Sequence, residues 1–189
     1  MNYEEKMNTL LNENLTETAY NFWKTLKEKI PPVWDRLSSS SKKYHKKDNG
    51  QSDNIAEHTY EMLYACIKTW SLFDIKKKTS EGDVLLLAIA LHDSFKYGED
   101  PDNSEHTVSN HDKIIADKLK SISDFTSKFL NESQINTLDE ATRFHNGRWS
   151  TDVEDMTKFD LSDYHQYTGF VHFLDMMSSR NLIKLPKEG

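Results

Sequence analysis

A chain of 189 residues, 36% of them hydrophobic, is long enough to bury a real core in one domain, or in one domain with a helical extension. Its formal net charge of -7 argues against a protein that wraps duplex nucleic acid, which needs a basic surface, while leaving room for a local patch that holds a small phosphate. With 6 Gly and 4 Pro, long helices are expected over a turn-rich sandwich, and the single cysteine, Cys66, precludes an internal disulfide and suits a reducing cytoplasm. Met1-Asn2-Tyr3-Glu4-Glu5-Lys6 has no apolar signal core and no stretch reaches membrane-spanning length, so a soluble, cytoplasmic protein is expected.

Residues 1–30 read as helical, either as one helix or as two broken near Asn12-Glu13-Asn14. Leu15, Ala19, Phe22, Leu26 and Ile30 recur at helical spacing and define an inward face. Pro31-Pro32 stops that helix or starts a turn, and Val33, Trp34 and Leu37 anchor a short segment. Over 38–54 the composition turns polar and carries Lys42, Lys43, Lys46 and Lys47. Such a stretch is a solvated loop, or a lid whose lysines meet substrate phosphate. Residues 1–49 are therefore read as an N-terminal helical extension with a flexible basic loop packed on the core, and 50–189 as the main domain.

A helix over 53–72, capped by Asp53 or Asn54, turns Ile55, Met62, Ala65, Cys66 and Thr69 inward, with His58 on the same face one turn before Met62. After a polar connection over 76–82 comes Leu85-Leu86-Leu87-Ala88-Ile89-Ala90-Leu91, an apolar run that leads straight into His92-Asp93. Strong helix formers behind a Gly82-Asp83 start signal make this a buried helix. A histidine and a carboxylate at its inner end are costly to desolvate without a partner. A divalent metal would satisfy both; a helix cap with a local His-Asp hydrogen bond is the alternative.

Residues 99–104 have turn chemistry, and a helix capped by Ser104 or Thr107 runs to Ser121 with Ile115, Leu119 and Ile122 buried. His111 lies one turn before Ile115 on that stripe, whereas His106 is rotated about 140° away and joins only if its loop folds inward. Phe125, Phe129 and Leu130 anchor a short segment. A helix from Asn131 or Ser133 to His145 turns Ile135, Leu138 and Ala141 inward, and Gly147 reads as the residue that stops it. Residues 152–160 form an acidic loop. A last helix over 161–181 carries Val171, Leu174, Asp175 and Ser178 on one face, and Asp175 in its apolar neighbourhood requires a partner. His172, one turn before Asp175, is either a support for a ligand or a packed histidine.

His58, His92, Asp93, His111, His145 and Asp175 thus fall on, or at the end of, inward faces of five separate helices. Four neutral imidazoles and two carboxylates suffice for two divalent ions with Asp93 bridging. A centre of about +2 net charge would attract phosphate and acidify a bridging water. In this order, with Lys96 three residues after the doublet, the set resembles the HD-domain superfamily of metal-dependent phosphohydrolases over residues 50–182. That resemblance implies an all-α, HD-domain helical bundle with the metal site between core helices. His58, His92, Asp93 and Asp175 would hold the first metal, and His111 and His145 look like the added histidines of two-metal subfamilies. The implied cofactors are one or two divalent ions (Mn, Fe, Co, Mg or Ni). Two positions depart from the pattern: Phe95 stands where a glycine often precedes the lysine, and Asn146 follows His145 where cyclic-dinucleotide phosphodiesterases carry a second histidine.

The activity implied is hydrolysis of a phosphate ester, nucleotides and cyclic nucleotides first among them, by metal-activated hydroxide. Asp93 would orient the nucleophile and Lys96 would steady developing charge. Lys96, Arg143 and Arg148 are the candidate substrate contacts, the two arginines as phosphate forks or as ordinary ion pairs. Trp149 and Tyr97 could stack on a base or could pack. The expected partner is a small phosphorylated substrate, with no duplex nucleic acid and no membrane. Two other functions fit the same scaffold: a mixed-valence di-iron oxygenase, as myo-inositol oxygenase is, and a non-catalytic nucleotide sensor or protein-binding module.

Overall fold

Among the residues described in the computed structural model, 1–39, 52–72 and 75–186, there are eight α-helices and no strand. They are α1 (Tyr3–Asn14), α2 (Glu17–Lys27), α3 (Ile55–Thr69), α4 (Ser80–Leu91), α5 (His111–Ser121), α6 (Ser123–Thr126), α7 (Glu132–Arg143) and α8 (Gln166–Ser179). The lysines of the expected basic loop, Lys42, Lys43, Lys46 and Lys47, lie outside the described residues. No helix among the described residues is long and apolar enough to cross a membrane.

The apolar run forms the axis. Every residue of α4 from Gly82 to Leu91 is buried, so no face is left to solvent, and α1, α2, α3, α7 and α8 all pack around it. Each fully buried Leu or Ile there contributes about 1.5–3 kcal/mol of transfer free energy. The helix begins at Ser80, earlier than the Gly82-Asp83 signal suggests, because the Thr79 hydroxyl accepts a hydrogen bond from the Gly82 N–H and supplies the cap. Asp83, relieved of capping, reaches across to α2, where its carboxylate accepts from the Thr16 N–H at 2.8 Å and from the Thr16 hydroxyl. This fixes the start of α2 against α4.

The amino-terminal stretch is two helices, and the break falls at Leu15-Thr16, where Thr16 caps α2 through the Ala19 N–H. Met7, Leu11, Leu15, Phe22 and Leu26 belong to the same apolar cluster as Leu85–Leu91, so α1 and α2 share the core of the later helices. Asn54 caps α3, and Asn131 and Gln134 form a reciprocal capping box at the start of α7.

Three further boundaries differ from the sequence reading, each for a local reason. Helix α5 starts only at His111, because 104–110 is a loop held to the turn after α4 by a hydrogen bond from the Val108 N–H to the Lys96 carbonyl at 2.9 Å. The last helix is interrupted: 161–163 is a single 3-10 turn capped by Asp160, and α8 begins at Gln166. Helix α7 ends at Arg143 with Phe144 as its cap, so Gly147 does not stop it. Gly147 instead adopts a left-handed φ of +61°, and a Cβ there would stand 2.8 Å from His172 Cε1. Glycine is required for the close approach of that ring.

Cys66 is fully buried on α3, where it accepts a hydrogen bond from the Trp70 indole N–H, and burial pushes its thiol up to about 12. The native protein is therefore expected to resist iodoacetamide at pH 8 and to take up one carbamidomethyl group after denaturation, read by intact mass. Rapid labelling of the native chain would contradict this packing.

Candidate metal centre

Five helices deliver the six ligand candidates to one place. His58 is the fourth residue of α3; His92 and Asp93 follow the last turn of α4; His111 opens α5; His145 lies two residues past α7; Asp175 is on α8. His58, His92, Asp93 and His145 are at most 1% exposed and His111 only 5%. At the carboxyl end of α4 the chain leaves the helix through successive turns, Ser94 N–H to Leu91 carbonyl and Lys96 N–H to Asp93 carbonyl, which swing His92, Asp93 and Lys96 to the same side.

Donor atoms within 4.8 Å of one another form two groups, His58–His92–Asp93 and Asp93–His111–His145. Asp93 belongs to both through different oxygens. Its Oδ2 lies 3.5 Å from His92 Nε2 and 3.9 Å from His58 Nε2, while Oδ1 lies 3.1 Å from His111 Nε2 and 3.6 Å from His145 Nε2. Asp175 belongs to neither group, but its Oδ1 lies 3.2 Å from His58 Nε2. Across each group two imidazoles meet Nε2 to Nε2 at 3.2 Å, His58 with His92 and His111 with His145. Two nitrogens on one ion at bonds of about 2.1 Å and angles of 90–110° stand about 3.0–3.4 Å apart. The donor set and its spacing fit a divalent metal ion in each group.

All four rings turn Nε2 inward because Nδ1 is engaged on the far side. His92 Nδ1 donates to the Ile89 carbonyl at 2.7 Å, His111 Nδ1 to Val108 at 2.9 Å, and His145 Nδ1 to Thr142 at 2.7 Å. His58 Nδ1 meets the Ser178 hydroxyl at 2.8 Å.

Titration follows the same pairing. Burial lowers His92 to about 3, since the Asp93 charge only partly opposes it, and burial with the Lys96 charge lowers His111. Burial also works against His58 and His145, but hydrogen bonding and charge from Asp175 and Asp93, respectively, prevail and raise both. Each imidazole pair thus contains one ring that readily takes a proton and one that does not. A proton on Nε2 bridges the pair where a cation would sit, so cation binding competes with protons. Despite burial, the charges of Lys96, His92 and neighbouring imidazole hydrogen bonds hold Asp93 well below the ordinary carboxylate range, and His58 does the same for Asp175.

Lys96 extends its ammonium to 2.8 Å from both Asp93 oxygens. Burial would lower its pKa, yet the Asp93 and Asp175 charges raise it, so the side chain stays cationic. It also lines a cleft of about 340 Å³ together with Asp175, Asn146, Thr107, Trp149, Met176, Ser179, Arg180, Ser38 and Ser39. Of the centre's residues, Asp175 and Lys96 reach this cleft.

The other candidates separate clearly. Arg143 is surrounded by carboxylates: Asp152, Asp117 at 2.9 Å and Asp139 at 3.0 Å occupy its guanidinium, which ties α7 to α5 and to the loop after α7. This is a structural clamp, and its fork has no edge left for phosphate. Arg148 is exposed, its guanidinium 5.6 Å from the Trp149 ring. Trp149 is 61% exposed at the cleft, while Tyr97 is packed, with its hydroxyl on the Leu37 carbonyl and Arg36 over its ring at 3.9 Å. His106 is exposed in its loop, away from the ligand groups. His172 supports the centre from behind: its Nδ1 lies 2.7 Å from the His145 carbonyl, in the space left by Gly147.

Sequence reasoning passed over Arg180 in the cleft wall and Glu61 behind His58, and it placed Ser178 on the face of Asp175 without a role toward His58. A signal existed for the last two, since each stands three residues after a ligand on the same helix, Glu61 after His58 and Ser178 after Asp175. No family model, no curated protein and no solved structure matches this chain.

Proposed function

We propose that the chain is a metal-dependent phosphohydrolase with an HD-like helical bundle, acting on a small phosphate ester through two divalent ions. The observation that carries this reading is the sharing of Asp93 between two histidine pairs, one oxygen toward each, behind Lys96 and Asp175, which line a cleft that also holds Arg180. When bound, such ions polarise a phosphoryl oxygen and lower the pKa of a water between them. His58, His92, Asp93 and Asp175 would hold one ion, and Asp93, His111 and His145 the other.

The chain's own residues do the rest. Asp93 fixes the spacing between the half-sites. Lys96 balances its carboxylate and places an ammonium at the cleft wall, within reach of a phosphoryl group entering there. Arg180, on the opposite flank of Asp175 in sequence from His172, offers the second cation of the cleft. The exposed indole of Trp149 supplies an apolar face for a planar substituent such as a nucleobase. The substrate class that fits is a nucleotide or cyclic nucleotide, and Arg180 replaces Arg143 among the proposed phosphate contacts.

The test is a turnover screen of metal-stripped protein against nucleotides, cyclic nucleotides and short oligonucleotides, with manganese, magnesium, cobalt or iron restored. Ester hydrolysis is expected only with added metal, and Arg180→Ala should raise KM about tenfold with unchanged metal content. Two bound ions with no ester cleaved under any metal would end the hydrolase reading. Oxygen uptake by the iron-loaded form would replace it with oxygenase chemistry.

A further inference from the structure

The four imidazoles are not oriented by the same means. His92, His111 and His145 each use the carbonyl three residues earlier, and those carbonyls are available because each histidine sits at a helix end. His58 lies inside α3, where the preceding carbonyls serve the helix itself; its own N–H bonds to the Asn54 carbonyl at 3.0 Å. Its ring must therefore find a side-chain acceptor.

Ser178 provides one, and its polarity is determined by a third group. The Ser178 hydroxyl donates to Glu61 Oε2 at 2.7 Å, so with Glu61 ionised, above the pKa of about 7 to which burial pushes it, the oxygen that meets His58 Nδ1 at 2.8 Å accepts. His58 Nδ1 must then carry a proton, and Nε2 faces the centre. Ser178 is 2% exposed and Glu61 8%, so water does not substitute readily for either. Glu61 lies one turn beyond His58 on α3, and Ser178 one turn beyond Asp175 on α8.

We propose that Ser178 and Glu61 are positioning residues that hold His58 in its ligand tautomer, so that the His58 half-site depends on the Ser178–Glu61 contact between α8 and α3 while the His111–His145 half-site does not. This rests on the two-ion reading. Removing the Ser178 hydroxyl leaves Nδ1–H without its acceptor; removing the Glu61 carboxylate frees the hydroxyl to donate to Nδ1, which moves the ring proton to Nε2 and blocks the ligand position.

The test is calorimetric titration of the metal-stripped full chain with Zn²⁺, a diamagnetic probe. Ser178→Ala and Glu61→Leu should each weaken one of two binding steps by about 10–100-fold and leave the other unchanged, while His111→Ala weakens the other step. In the zinc-loaded wild type, nitrogen-15 NMR should show the His58 proton on Nδ1. A folded variant that binds both ions like the wild type, equal weakening of both steps, or a His58 proton on Nε2 would overturn the proposal. A wild-type chain that binds no zinc would overturn the two-ion reading as well, and so is distinct from failure of the relay alone.

Discussion

Asp93→Asn is expected to abolish binding of both ions and to lower ester hydrolysis by about a thousandfold or more. No other ligand position should do both. The two oxygens of Asp93 face different histidine pairs, and an amide would present N–H donors to at least one of them. Asp175→Asn touches only the His58 side and should cost one ion. The substitution carries a second consequence. Lys96 is partly buried, its ammonium against both Asp93 oxygens, and removing the carboxylate leaves it without that partner. Breaking a fully buried pair from one side costs about 3–5 kcal/mol, and less is expected with Lys96 partly exposed, so the metal-free variant should also melt earlier than the metal-free wild type. Adding Lys96→Met should restore much of that stability without restoring metal binding. Metal analysis after dialysis and thermal melts of the two proteins separate the effects. Retention of both ions by Asp93→Asn would remove the basis for a shared carboxylate.

Arg143→Ala is expected to destabilise the fold without touching the centre's ligands. The guanidinium is held by Asp117, Asp139 and Asp152, and its loss leaves three carboxylates facing one another with only lysines at the margin. A cost of about 2–3 kcal/mol, discounted for the partly exposed acids, lowers Tm by roughly 4–12 °C in a domain of this size. The effect should depend on pH in a stated direction. Asp117 is held below the ordinary carboxylate range, first by Lys113 and then by Arg143. A depressed carboxylate contributes stability that is present above the unfolded pKa and lost as pH falls through the folded one. The Tm gap between wild type and Arg143→Ala should therefore be widest near neutral pH and should narrow below about pH 4. A gap that is constant from pH 7 to pH 3, or metal binding lost with the clamp, would count against a structural role.

These two residues show how far a sequence can be read. Asp93 was legible because an apolar run ending in His-Asp leaves few ways to satisfy two buried polar groups. Arg143 was legible only as a cation near a candidate ligand. Its three acids lie 26 residues before it, 4 before it and 9 after it, and nothing local says that they converge. His111 over His106 was a matter of helical phase, although α5 begins only at His111 itself. Gly147 was misplaced as a helix stop because its real constraint, the His172 ring, comes from another helix.

What the sequence determined by itself was the all-helical class, the long central helices with their buried stripes and the chemistry of the inward-facing ligands, because helical periodicity and capping are local properties. Only the tertiary structure decided which nitrogens pair across the centre, which oxygen of Asp93 faces which pair, that Ser178 and Glu61 stand behind His58, and that Arg180 rather than Arg143 lines the cleft. Those relations are distances between helices, set by how the buried stripes pack around α4, and no spacing along the chain encodes them.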